Sequence, residues 1–97
     1  MTRANGLHHL AISTGNMKAQ IEFFSDVLGM ELVALYWMHG VDGTWHGFLR
    51  LNDTASIAFV QNDKIVATKS NLGVSHAGSP ALPSAPGTMQ HLAFNVD

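Results

Sequence analysis

The 97 residues include 46% hydrophobic and 12% charged side chains, with a formal net charge of −2. These values fit one globular domain and exclude an acidic or basic disordered tail. Five Lys and Arg spread along the chain form no basic stripe, so nucleic acid is not an expected partner. Without cysteine, disulfides and thiolate metal sites are excluded. The polar start and the lack of any run of about 20 apolar residues argue against a signal peptide or a membrane helix. The expectation is a soluble, cytoplasmic protein.

Leu7 to Ser13 alternates as a strand does, with Leu10 and Ile12 on one face and His9, Ala11 and Ser13 on the other. Thr14-Gly15-Asn16 is a turn, and Asn16 is a good N-cap. From Met17 the apolar residues Met17, Ile21, Phe24 and Leu28 fall at helical spacing, and Gly29 suits the left-handed position that ends a helix. Met30 to His39 reads as a strand, and Gly40-Val41-Asp42-Gly43 supplies a hairpin connection. Thr44 to Leu51 and Ala55 to Gln61 are further strands, separated by Asn52-Asp53. For Lys64 to Ala67 a helical turn and a short extension both stand open. All three prolines lie between Leu72 and Thr88 among glycines and serines, which reads as a linker. Met89 to Val96 then alternates as a strand, with His91, Ala93 and Asn95 on one face.

The expected fold is therefore α+β. A βαβββ module over residues 5–69, with a mixed curved sheet and one main helix, is followed by a linker over 70–88. The first strand of an incomplete second module occupies 89–97. The phrase His9-Leu10-Ala11-Ile12 returns as His91-Leu92-Ala93-Phe94, a repeat of about 80 residues. In both copies the histidine lies opposite the face whose large apolar residues would take a helix.

The chain resembles the vicinal oxygen chelate superfamily, which includes glyoxalase I, bleomycin-resistance proteins and extradiol dioxygenases. The resemblance rests on His9-Leu10-Ala11-Ile12, on Ile21-Glu22-Phe23-Phe24 leading into Val27-Leu28-Gly29-Met30, and on Pro86 to Asp97. It implies paired βαβββ modules around a divalent metal (Fe, Mn, Ni or Zn), with first-strand ligands falling on His9 and His91. The fourth-strand position, a carboxylate in glyoxalase I, falls near Ala58. That leaves the two-histidine pattern of extradiol enzymes, whose carboxylate would come from beyond this sequence, so the third protein ligand is missing here.

Three readings follow. One is a metal-dependent dioxygenase or lyase, or a fragment of one, acting on a small oxygen-bearing molecule. Another is a metal-free dimeric module of bleomycin-resistance type. The last is a truncated product without activity of its own. His46 is a candidate acid or base, and His46, Phe48 and Trp45 are candidate substrate contacts. Each has a plainer reading as sheet core. Tyr36 and Trp37 could floor the same pocket, and Arg50 could pair with a carboxylate or lie on the surface. His8 reads as exposed or as a donor behind His9, while His39 and His76 read as solvated. A homodimer is the expected assembly, with the unpaired strand Met89 to Val96 finding a partner strand in its own chain or in a second one.

Overall fold

The computed structural model describes residues 2–69, 86–87 and 89–97. Its elements are β1 (His9–Ser13), α1 (Met17–Glu22) continuing as a π-helical turn (Phe23–Val27), β2 (Glu31–Trp37), β3 (Trp45–Arg50), β4 (Ser56–Gln61) and α2 (Asp63–Ala67). The α+β class and the βαβββ order expected from periodicity are both present. The four strands form one mixed sheet in the order β1-β4-β3-β2. β1 runs parallel to β4, and the other two pairings are antiparallel.

Local chemistry sets the element ends. Asn16 Oδ1 accepts the Ala19 N–H at 2.9 Å, so the expected N-cap forms. The Met17 N–H, also lacking a helical partner, donates to Gln61 Oε1 at 2.6 Å and ties the helix start to β4. At the other end Leu28 N–H reaches back to Phe23 O at 3.2 Å, and Met30 N–H reaches Phe24 O at 2.9 Å. Gly29 closes this wide turn at φ 73°, where a side chain would be strained. Gly40 and Gly43, at φ 79° and 68°, turn the β2–β3 hairpin in the same region. The ambiguous segment before residue 70 is a short helix, α2, capped by Asn62 Oδ1 on Ile65 N–H at 2.8 Å.

The helix covers one face of the sheet. Met17, Met30, Leu49, Ile57 and Phe59 form the buried core, with Leu10, Ile12, Ile21, Phe24 and Phe94 packed partly against it. Leu10 and Ile12 thus face the helix, as their parity requires, and His9 and Ala11 face away. The approach of α1 to β3 is tight at Gly47, where an added Cβ would lie 3.1 Å from Met17 Sδ and 3.4 Å from Leu35 Cδ1.

One expected element is not formed. Residues 89–97 make no strand. A lone segment gains little from an extended conformation without a ladder to satisfy its backbone. It is held instead by Phe94, whose ring stands edge-on to Phe24 with centroids 6.2 Å apart. The linker expected over 70–88 lies outside the described residues, apart from Pro86 and Gly87.

Candidate functional site

The face turned away from α1 is built by register. His9, Ala11 and Ser13 of β1 stand opposite Ser56, Ala58 and Val60 of β4. Phe48 and His46 of β3 stand opposite Ala58 and Val60, and Ala34 and Tyr36 of β2 opposite Phe48 and His46. Facing residues in a ladder point to the same side. One open surface therefore carries His9, Tyr36, His46 and Phe48 over a floor of small residues.

Those four rings touch in series. Phe48 lies 4.4 Å from His46, 5.2 Å from His9 and 6.2 Å from Tyr36 between centroids, the last pair stacked at 11°. His9 and His46 are 6.4 Å apart. Tyr36 Oη and His46 Nδ1 are 3.4 Å apart, a long hydrogen bond. Nε2 of His46 is buried and has no hydrogen-bond partner among the described residues. Removal from water pushes the His46 imidazole below its ordinary value of 6.5, and the charge of His9 pushes the same way. His46 is therefore a neutral imidazole near pH 7.

His9 is exposed. Its Nδ1 lies 2.8 Å from Nδ1 of His8, so one ring must donate and the other accept. This contact leaves His9 Nε2 outside it, and His8 is itself exposed.

The remaining candidates fall elsewhere. Trp45 does not join His46 and Phe48, because consecutive strand residues point to opposite faces. It lies on the helix side against Trp37, with centroids 3.9 Å apart. There it lines an open groove of about 480 Å³ with Leu35, Met17 and Ile21. Arg50 is engaged with Glu31 at 3.6 Å on the surface. His39 is exposed, and His76 lies outside the described residues. His91 is exposed and is not among the ring neighbours of His9. Tyr36 is the residue sequence reading undervalued; its parity with His46 across the hairpin was the available signal.

The model of the Glyoxalase/Bleomycin resistance protein/Dioxygenase superfamily matches residues 6–97. The chain belongs to this superfamily. No curated protein matches it. Among solved structures it is similar to a hypothetical protein from Bacillus halodurans C-125, at 20% identity and a TM-score of 0.53. That likeness covers 62% of this chain and 42% of the other, so the chain spans under half of that protein, and the likeness speaks to fold alone.

Superfamily members often hold a divalent ion, and the donor set here can be tested against one. On the open face β4 offers Ser56, Ala58 and Val60, none of them a carboxylate, and Ala58 is wholly buried. Among the described residues no group of three or more His, Asp or Glu could hold a metal ion. Two imidazoles bind a first-row ion weakly. The described residues do not fit a complete metal site.

Proposed function

We propose that this superfamily member binds a small, planar, oxygen-bearing molecule on the open face of its sheet without metal, as bleomycin-resistance-type modules do. The observation that carries the reading is the continuous patch of His9, Tyr36, His46 and Phe48 rings. A planar ligand stacks on Phe48 and Tyr36, and its oxygens take hydrogen bonds from His9 Nε2 and Tyr36 Oη. Aromatic contacts of this kind contribute about 0.5–1.5 kcal/mol each beyond area burial. The neutral His46 sets the orientation of Tyr36 by donating from Nδ1 to Oη, which keeps the phenol proton for the ligand.

Calorimetric titration of metal-stripped protein with catechol, a planar vicinal diol, tests this. Saturable binding that weakens about tenfold in Phe48→Ala and His9→Ala is expected from losing one stacking or hydrogen-bond contact. Binding that requires added metal would overturn it.

A second reading keeps the metal. It is favoured by the resemblance, which implies a first-strand ligand at His9, and by the hydrogen-bonded Nδ1 of that ring, a pattern that orients ligating histidines. His9 and His91 would then be ligands in an assembly that supplies a third donor. Stoichiometric uptake of Fe(II), Mn(II), Ni(II) or Zn(II), lost in His9→Ala, supports it over the first.

A further inference from the structure

The open face is built of cross-strand rows, and its aromatic rings fill only part of it. Phe48 lies in the middle row beside Ala58, and His46 and Tyr36 share the row toward one end. The row at the other end, taken from β1 across to β2, is His9, Ser56, Arg50 and Glu31. Arg50 thus stands on the same face as Phe48, two residues further along β3. Within the four strands it is the one permanent cation, and Glu31 is the one carboxylate.

The contact between these two charges is loose. Arg50 Nη1 and Glu31 Oε2 are 3.6 Å apart, too far for a hydrogen bond, and the side chains are 55% and 69% exposed. Exposed pairs of this kind contribute little to stability. A guanidinium presents five N–H donors in a planar fork, and a two-oxygen anion can take two of them in parallel. Ser56, half-buried on β4 and directly across from Arg50, adds a hydroxyl beside that fork.

We propose that the ligands of the open face are aromatic acids, the ring lying on Phe48 and the carboxylate held by Arg50 and Ser56. This rests on the open-face reading and names the ligand class that the face serves. Phe48 and Arg50 are roughly 7 Å apart at Cα, so an acid group borne directly on a ring over Phe48 comes within reach of the guanidinium. The opposite edge of the same ring then faces Tyr36 and His46, where hydroxyl oxygens meet the phenol. The face is polar at both ends and aromatic in the middle, which selects a ring with its acid and its hydroxyls at opposite ends. One guanidinium with one flanking hydroxyl suits a planar carboxylate. A phosphate would find no lysine or second arginine in the row.

Calorimetric titration of the metal-stripped full chain tests this with three ligands. They are protocatechuate (a benzoate with hydroxyls meta and para to the acid), its neutral amide, and catechol. The acid binds about tenfold or more tightly than the amide, the gain expected of a charge-assisted, bidentate contact. Arg50→Gln erases that difference. Arg50→Lys keeps part of it, because a point charge lacks the fork. Glu31→Gln removes the competing carboxylate and widens it, and carries the test should Arg50→Gln fail to fold by circular dichroism. Equal binding of acid and amide overturns the proposal, as does an acid preference that Arg50→Gln leaves intact or Glu31→Gln fails to widen. In either case saturable binding of catechol keeps the open-face reading in place. If none of the three ligands binds, both fall.

Discussion

His46 shows what a single position in the sheet does to a side chain. Its ring is packed between Tyr36, Phe48 and His9, and burial from water first, then the charge of His9, hold it below the ordinary 6.5. The folded state therefore binds fewer protons than the unfolded chain in the interval just below 6.5, and stability rises with pH there. Stability is fully present above the ordinary value and falls as pH is lowered through that interval. Urea melts of wild type against His46→Phe read this directly: the substitution flattens the pH slope. At Gly47 the added methyl of Gly47→Ala meets the end of Met17, a side chain able to give by a few tenths of an ångström. We expect a loss of about 1 kcal/mol, seen as a lower denaturation midpoint. Leu49→Ala, in contrast, empties a wholly buried site and costs about 2–5 kcal/mol in the same melts. Residue parity was legible without a structure for His9, Ala11 and His46. The same parity placed Trp45 on the helix side, yet its composition drew it into the aromatic pocket, and alternation is the stronger rule.

Elements follow the same division between local and distant causes. The cap at Asn16, the left-handed Gly29 and the two hairpin glycines are short-range features, and all were legible because each depends on a few neighbouring atoms. The π-helical turn over Phe23–Val27 was not. Its wider winding is recorded only in the bonds from Leu28 and Met30 back to Phe23 and Phe24. Through it Phe24 faces Phe59 at 5.0 Å while Phe23 remains 48% exposed. The strand expected over 89–96 fails for the opposite reason: alternation gives a segment strand character, but only a ladder partner makes it a strand. Its attachment through Phe94 is a side-chain contact with the core. Phe94→Ala should therefore cost roughly 1–2 kcal/mol of half-buried apolar surface and raise amide exchange across residues 89–97 more than across β1 to β4. Equal effects on all strands would show that the segment is part of the sheet's own cooperative unit.

At the scale of the molecule, one sheet presents two unlike faces. The helix side holds the core and an open groove beside Trp45, while the other side carries the imidazole, phenol and phenyl rings of His9, His46, Tyr36 and Phe48. The superfamily was readable from the His-Leu-Ala phrase and the Phe-Phe…Val-Leu-Gly-Met helix, because these mark how the helix packs on the sheet. The lack of a carboxylate on the fourth strand was also legible in the sequence, at Ala58, and β4 indeed brings Ser56, Ala58 and Val60 opposite His9, Ala11 and Ser13. The account stands on the claim that this face, and not the groove, receives the ligand. Amide and side-chain shift mapping by nuclear magnetic resonance, with catechol added to metal-stripped protein, separates the two. Saturable shifts centred on His9, Tyr36, His46 and Phe48 are predicted. Shifts centred on Met17, Ile21 and Trp45 with the open face unmoved would contradict it.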